Sequence, residues 1–515
     1  MALGSLTNLV PTVSAAQGSN TGRLVGSVTN QQGEVVAGAT IVVTDNATGK
    51  EQTVISSSEG TFALSQLEVG TYTVKVTAQN FKSFTATDVK IDLGREYSLT
   101  VPLEIGGVTE NVTVTAGADL LNATSGELSN SISMKEVREL PLNGRNPIGL
   151  ITTQAGTSSN GAQTTAVNGQ RSSFTNITRD GINIQDNFIR ANAVDFVPDR
   201  PNVDDVGEIT ITTQNAGAEL GYGSSQIQLV TPRGSNAFHG AGYIYNRNSE
   251  LAANTFFNNA AGNFTDGRER VPRPFLNRNQ YGGRIGGPVL KEKLFFFFSY
   301  EGFRQRSSTS ATRTTLLPSA RQGIFTFVNN AGVRQTANIL ALTGVSIDPV
   351  VKSRILDLLP TSGNTTAAGD QLNTTGFQVS RLQNQDRDAY TTRIDYEITQ
   401  NNSISGVYSY RKEFLLRPDV DAIGPSGFTS SPTSNQFAHT RFLALSYRMN
   451  PTSRLTNEVR GGFQTSDPAF GRNIDLPEFF IGVPLISNPE VNFEPQGRNT
   501  KIYNFQDNAV FAKGQ

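Results

Sequence analysis

The chain has 515 residues, enough for several domains at roughly 100–200 residues each. Lys and Arg total 43 against 44 Asp and Glu, and this balance predicts no nucleic-acid partner, which would favour a basic surface. Without Cys, and with only His239 and His439 as imidazoles, the chain offers no thiolate chemistry and little support for zinc or Ser–His catalysis. Composition does not exclude a glycosidase, but no paired-carboxylate motif stands out. We therefore predict that the chain is not an enzyme and has no catalytic residues, metal site or cofactor.

The longest apolar runs fall well short of the roughly 18 residues of a transmembrane helix. If the chain lies in a membrane, it must cross as β-strands, whose alternating signal leaves the overall hydropathy negative. At the N-terminus, Val13-Ser14-Ala15 before Ala16 is similar to a signal-peptidase site. We interpret residues 1–21 as the remnant of an export signal, with a disordered tail as the alternative.

Residues 22–104 contain short alternating runs separated by turn glycines, such as GRLVGSVTN, ATIVVTD and GTYTVKVTA. This spacing predicts a seven-stranded β-sandwich with Val74 and Val76 in its core and Lys75 and Thr77 facing water. The unit resembles the carboxypeptidase regulatory-like domain in its GxV opening, its GA and EG turns and its G-x-Y-x-V run. That domain is non-catalytic despite its name. We expect a stability and spacer module, with glycan or partner binding as the alternative.

Residues 105–116 read IGGVTENVTVTA, a pair of glycines followed by β-prone alternation. The pattern predicts a mobile segment that can add as a strand to another sheet. Its last seven residues resemble the TonB box, which pairs with a periplasmic energy-transducing protein: Glu110, Asn111, Val112, Thr113, Val114, Thr115 and Ala116. The alternative is an ordinary linker between domains.

Residues 117–235 are rich in polar and glycine-containing turns. Ser133 and Glu136 fit a capping box, so that a short helix should begin there and end before Pro141. Turns of this density suit a small α/β domain that fills a lumen, where Gly supplies unusual backbone angles and Arg and Asn supply hydrogen-bond donors.

Three turn blocks in this region strongly resemble the plug of TonB-dependent receptors of the Oar-like subgroup. They contain Asn143, Gly144, Arg145 and Asn146, then Asn168, Gly169, Gln170 and Arg171, then Asp180 and Gly181. Arg179 stands where that subgroup usually has an apolar residue. For Arg145, Arg171 and Asp180 we expect hydrogen bonds from the plug to a barrel wall, with direct ligand contact as the alternative.

Residues 236–515 change to long alternating strands. Between 389 and 398, Tyr390, Ile394 and Tyr396 share one face while Arg393 and Asp395 share the other, and a turn follows. Strands of roughly ten residues with one apolar and one charged face are typical of outer-membrane barrels. The alternation alone leaves open which face points outward.

Long polar insertions, Ser307–Gln385 and Asp419–Asn435, alternate with short turns in this region, as extracellular loops alternate with periplasmic turns. The block from Pro288 to FFFFSYEGFRQ also resembles the Oar-like barrel, and we expect its Phe cluster to face lipid or an aromatic girdle. The fold predicted is mainly β: the sandwich, the plug and the first part of a large antiparallel transmembrane barrel.

Barrels that hold a plug use about 22 strands, whereas the alternation after residue 236 accounts for about eight to ten. We therefore expect a C-terminally truncated barrel, an open curved sheet whose first strand, near Phe238, lacks its closing partner.

The resemblance implies a TonB-dependent outer-membrane receptor that imports a scarce or bulky ligand, such as a siderophore, a glycan or a peptide, by energy-coupled movement of the plug. The implied partners are a TonB-type periplasmic protein, outer-membrane lipid and the unknown ligand. The implied location is the outer membrane, with the N-terminal domain in the periplasm. The alternative is a non-transporting signalling or adhesion receptor on the same scaffold.

Overall fold

We analysed a computed structural model of the chain. It describes residues 21–106, 111–115, 126–140, 142, 144–159, 165–189, 197–217, 220, 221, 223–254, 256, 259, 273–357, 359–419, 432–452, 455–472, 486 and 495–511. Among these residues, every helix is too short or too polar to cross a membrane.

The N-terminal unit is a sandwich of seven strands, as the sequence predicts. The strands are β1 (Gly22–Asn30), β2 (Thr40–Asp45), β3 (Glu51–Ile55), β4 (Thr61–Leu67), β5 (Gly70–Thr77), β6 (Ser83–Ile91) and β7 (Glu96–Leu103). One sheet has the order β4-β1-β7 and the other runs β3-β2-β5-β6. Val74 and Val76 are fully buried between the sheets while Lys75 is exposed, because successive side chains of a strand point to opposite faces.

A further strand, β8 (Asn111–Thr115), extends the second sheet of the sandwich. It lies parallel to β6, with Ser83 opposite Asn111 and Thr87 opposite Thr115. The TonB-box-like segment therefore forms an edge strand of the sandwich. Glu110 and Ala116, the two ends of the predicted segment, lie outside the described residues.

The next unit, which we call the plug, is built on a mixed sheet of order β13-β12-β15-β14-β9. Its strands, with the small hairpin β10–β11, are β9 (Leu128–Ser133), β10 (Thr157–Ser159), β11 (Thr165–Val167), β12 (Thr175–Arg179), β13 (Ile182–Asn183), β14 (Glu208–Gln214) and β15 (Ser225–Val230). Helix α1 (Met134–Glu139) begins at the predicted capping box, where Ser133 and Glu136 cap each other reciprocally.

Short 3-10 helices connect these strands. They span Pro147–Thr153, Ser172–Phe174 and Val203–Asp205. The core of the plug contains Ile177, Ile209 and Ile227, which are fully buried.

The C-terminal half is one large antiparallel sheet of order β16-β17-β18-β22-β23-β24-β25-β28. These strands are β16 (His239–Asn248), β17 (Leu276–Leu290), β18 (Leu294–Leu316), β22 (Gln385–Thr399), β23 (Asn402–Leu416), β24 (Ser434–Thr452), β25 (Leu455–Ser466) and β28 (Thr500–Phe511). Within the described residues, β16 pairs only with β17 and β28 only with β25, so the sheet is open, as predicted.

The charged face of this sheet points inward. On β22, Arg393 and Asp395 are buried, while Tyr390, Ile394 and Tyr396 are exposed on the other face. The Nη1 of Arg393 donates to the carbonyl of Thr231 in the plug at 2.8 Å, so the charged face is the one that meets the plug. The apolar face is the outer face.

The prediction for the Phe cluster is wrong in part. Phe298 is 39% exposed, but Phe295 and Phe297 are 1% and 3% exposed. The run continues through β18, and strand alternation sends every second ring to the inner face.

Short turns lie at one end of the large sheet and long insertions at the other. The prediction of a polar loop over Ser307–Gln385 needs correction, because β18 continues to Leu316 and pairs there with β21 (Thr374–Leu382). The remainder forms a small unit with a hairpin, β19 (Ile324–Val328) and β20 (Arg334–Asn338). Its helical segments are Pro318–Arg321, Ile339–Thr343, Pro349–Val351 and Lys352–Leu356.

Three further short elements lie at the long-insertion end. They are a 3-10 turn at Ser249–Leu251, β26 (Ala469–Arg472) and β27 (Gln496–Gly497). Most of the predicted loop Asp419–Asn435 lies outside the described residues.

Candidate functional site

The plug motifs form tight turns with left-handed backbone angles. Asn168 and Gly169 have φ of 49° and 76°, and Asp180 and Gly181 have φ of 47° and 77°. The second pair joins β12 to β13, where Arg179 faces Ile182. Two residues with positive φ make the two-residue hairpin turn that Asn-Gly and Asp-Gly favour. Local turn geometry therefore accounts for the residue types in these two motifs.

Asp180 holds the end of the plug sheet to the segment that leads into the barrel. Its carboxylate accepts hydrogen bonds from the Thr231 backbone N–H at 2.9 Å and from the Thr231 hydroxyl at 2.6 Å. Arg393 of the wall lies 3.8 Å from the same carboxylate. Asp180 thus contacts both the plug and the wall.

Arg179 is the central cation of this contact, and the sequence interpretation did not assign it a role. Its side chain is 1% exposed and donates to Asp199 at 3.0 Å and to Thr231 at 3.1 Å. It also reaches two wall hydroxyls: Ser409 and Thr391, both at 3.3 Å. The signal available in the sequence was its departure from the usual apolar residue, since a charge buried in a plug strand requires polar partners on the wall.

Gly181 lies against a second buried cation of the wall. Its carbonyl accepts from Gln506 at 2.9 Å, and a Cβ at this position would fall 1.8 Å from the Arg460 Nη1. Arg460 in turn donates to Glu458 at 2.6 Å, and both side chains are almost fully buried. The glycine lets the turn approach this ion pair closely.

Arg145 connects the plug to the first strand of the wall. Its guanidinium lies 4.0 Å from the centroid of Tyr245 and 5.3 Å from that of Tyr243, in cation–π contact. It also pairs with Asp204 of the plug at 3.1 Å, and Arg284 of the wall approaches the same carboxylate at 3.5 Å.

The remaining motif residues serve local structure. Asn168 donates to the carbonyl of Thr213 at 2.8 Å, and Asn146 caps the 3-10 helix that follows it. Gly144 has a φ of 95°, which favours glycine. Gln170 and Arg171 are exposed, so that ligand contact stays open for Arg171. Asn143 lies outside the described residues.

The sandwich is bound to the wall by ion pairs at the short-turn end of the sheet. Lys50 pairs with Glu397 at 2.6 Å, and Asp45 pairs with Arg233 just after the plug. Glu68 lies 2.8 Å from Arg448 and 3.7 Å from Arg393. Burial raises the pKa of Glu68, but the charges of the surrounding arginines outweigh it and hold that pKa well below its usual value.

The sandwich also touches the plug through a buried carboxyl. The backbone N–H of Leu93 donates to Glu208 of β14 at 2.6 Å, and the Thr210 hydroxyl donates to the carbonyl of Leu93 at 3.0 Å. Burial and the nearby Asp92 carboxylate raise the pKa of Glu208 to about 7.

Within the residues that the structure describes, no group of three or more His, Asp or Glu side chains is arranged to hold a metal ion. Several of the polar side chains that converge between plug and wall pair with one another, such as Arg179 with Asp199 and Arg145 with Asp204.

Comparison with known families gives two matches. Residues 230–515 match the model of the outer membrane beta barrel domain. Residues 23–104 match the model of the carboxypeptidase regulatory-like domain.

Among individual proteins, the chain is 26% identical over 288 residues to the TonB-dependent transporter Oar of Myxococcus xanthus, covering 54% of this chain and 26% of that protein. The chain thus spans about a quarter of that relative's length.

Two solved structures are similar in part. The outer membrane transporter YddB from Escherichia coli gives a TM-score of 0.46 at 11% identity, over 75% of this chain and 45% of that one. The siderophore receptor PirA from Acinetobacter baumannii gives 0.40 at 14% identity, over 74% and 44%. Since the barrel model alone matches more than half of the chain, this is an outer-membrane protein that belongs to the outer membrane beta barrel domain family, and its predicted resemblance to TonB-dependent receptors is confirmed.

Proposed function

We propose that the chain acts as a TonB-dependent receptor that imports a scarce or bulky ligand, and that a TonB-type periplasmic protein drives plug movement by pairing with the segment Glu110–Ala116. The observation that carries the proposal is the position of β8. This strand connects the sandwich to the plug, and one of its two edges is unpaired within the described residues. A segment at the edge of a sheet can pair with a strand of another protein, either on its free side or in place of its present neighbour.

The contact between plug and wall supports a plug that can move. It is made largely by buried charges and hydroxyls, such as Arg179 with Thr391 and Ser409. Because burying an ion pair costs nearly as much desolvation free energy as its attraction returns, such a contact fixes position with little net adhesion. Apolar contacts are fewer, with Phe442, Val407 and Ala444 of the wall joining the plug core.

The second part of the proposal concerns the chemical class of the imported ligand. Siderophore, glycan and peptide ligands are each compatible with a plugged barrel of this kind. Growth of a deletion strain on defined iron, glycan and peptide sources identifies which class depends on the protein.

The test replaces Val112 or Val114 by Pro. Proline removes a backbone donor and fixes φ, so strand addition to β8 should fail. We expect Val112→Pro and Val114→Pro each to abolish uptake of the source found in the growth screen, while surface binding of that source and insertion of the protein into the membrane persist.

The matched controls are Val112→Thr and Val114→Thr, which keep the backbone donor and the β-branched shape. Both should import normally. Normal uptake in both Pro variants would sink the assignment of the coupling segment.

A further inference from the structure

The sandwich holds the proposed coupling segment as one of its own strands. β8 pairs in parallel with β6 over five residues, from Ser83 opposite Asn111 to Thr87 opposite Thr115. One edge of the segment that a periplasmic partner would pair with is therefore already paired with β6. The inference that follows rests on the proposed function, because it concerns how that same segment becomes available.

The central residues of β8 bury little apolar surface in this pairing. Phe84 and Ala86 of β6 are 4% and 1% exposed, in the sandwich core. On β8, Val114 is 44% exposed, Thr113 is exposed and Val112 is only partly buried. The pairing of this five-residue edge strand thus depends more on hydrogen bonds than on apolar burial, and such a strand is marginally stable. It can be removed without disturbing the sandwich core.

Because the sandwich is docked on the wall, a force applied to β8 can pass either into the wall or into the plug. Through Lys50 and Glu68 the sandwich is fixed to Glu397, Arg448 and Arg393 of the wall. While β8 is paired with β6, tension applied to it is borne by the sandwich and passes into the wall. Only after β8 leaves β6 does tension pass along the chain into the plug.

We propose that the sandwich stores the coupling segment on the edge of β6, and that the periplasmic partner engages it by replacing β6 as its pairing strand. The sandwich is then a competitor for the segment, and it sets how readily the partner obtains it.

An engineered disulfide tests this directly. Thr85 and Thr113 are opposite each other in the register, and strand neighbours lie within the Cα separation that a disulfide spans. Because the chain has no Cys, the pair Thr85→Cys and Thr113→Cys can form only this crosslink within the molecule. The readout is binding of the purified soluble domain of a TonB-type protein to the full chain in detergent micelles.

We expect the oxidised double variant to lose binding and a reductant to restore it in the same sample, which shows that the chain is correctly folded. The single variants Thr85→Cys and Thr113→Cys should bind like the unmodified chain under both conditions. Equal binding by the oxidised and reduced double variant would mean that the partner adds to the free edge of β8, and this overturns the proposal while leaving the coupling segment assigned. Absence of binding by the unmodified chain overturns the coupling assignment itself.

Discussion

At the scale of single residues, one arginine of the plug has a left-handed backbone conformation. Arg145 has a φ of 52°, a conformation that costs a side chain with a Cβ roughly 1 kcal/mol or more. The ion pair with Asp204 and the ring contact with Tyr245 are available to offset that cost. Because a strained conformation persists only where the surrounding structure holds it, Arg145 indicates a contact between plug and wall with a single defined geometry.

Gly181→Ala tests the closest approach of the plug to the wall. The added methyl group meets a positive φ and the guanidinium of Arg460, which must leave its buried position beside Glu458. We expect the free energy of unfolding of the plug to fall by about 1–3 kcal/mol. Pulse proteolysis across a urea series measures this change.

The control is Gly149→Ala, since Gly149 has open space around its Cβ position and lies in a 3-10 helix. It should shift the midpoint little. An equal shift in both variants would show that the contact with Arg460 is unimportant.

Residue identity alone could predict the turns but not their partners. Asn-Gly and Asp-Gly specify a two-residue turn wherever they occur, which is why those motifs were found in the sequence. The role of Arg179 depends on Asp199, Thr391 and Ser409, which lie between 20 and 230 residues away in the chain. Only the fold brings these side chains together.

At the scale of strands and helices, alternation predicts which residues share a face but gives no direction. Arg393 and Asp395 were grouped correctly, yet the same pattern suits a soluble sandwich with its charges outside. The plug supplies the missing information, because it offers polar partners such as Thr231 to the charged face. The extension of β18 to Leu316 escaped prediction because its sequence, STSATRTTL, is as polar as a loop.

Strand β14 carries a pH-sensitive contact with the sandwich. The pKa of Glu208 is raised to about 7 by burial and by Asp92, so the folded state favours the neutral carboxyl. A raised pKa contributes stability that is fully present below the usual value of 4.5 and is lost as the pH rises through about 7. We therefore expect the contact between β14 and the sandwich to weaken as the pH rises from 4.5 to about 7.

The measurement is the hydrogen-exchange protection factor of the Leu93 amide, which donates to Glu208. In the Glu208→Gln variant this factor should stay constant over the same pH range. Glu59→Gln, at an exposed turn of the sandwich, should behave like the unmodified chain. A protection factor that rises with pH would contradict the assignment.

At the scale of the whole molecule, the sandwich is docked at the short-turn end of the large sheet, where Glu68 forms ion pairs with the wall. Removing one partner of a buried ion pair costs about 3 kcal/mol, so Glu68→Gln should weaken docking and leave Arg393 and Arg448 without their shared carboxylate. The Asn236 amide donates to the carbonyl of Ala47 across this contact at 2.9 Å. We expect its hydrogen exchange to accelerate about a hundredfold.

The stability that Glu68 contributes to docking also depends on pH. Because the pKa of Glu68 is lowered, its contribution is present above the usual value of 4.5 and is lost as the pH falls below it. Glu59→Gln again removes an exposed carboxylate of the sandwich without touching the wall. Unchanged exchange at Asn236 in Glu68→Gln would show that other contacts fix the sandwich.

The order of strands along the chain has a mechanical consequence. The first plug strand after β8 is β9, and β9 is also an edge strand, paired only with β14 among the described residues. A force applied to β8 would therefore meet two edge pairings in succession, first that of β8 with β6 and then that of β9 with β14. If the pull runs across the strand direction, an edge strand opens one residue pair at a time, and the force needed at any instant is that of a single pair. The plug would then unfold from the β9 edge of its sheet, while Arg179 and its partners still hold the rest of the plug against the wall.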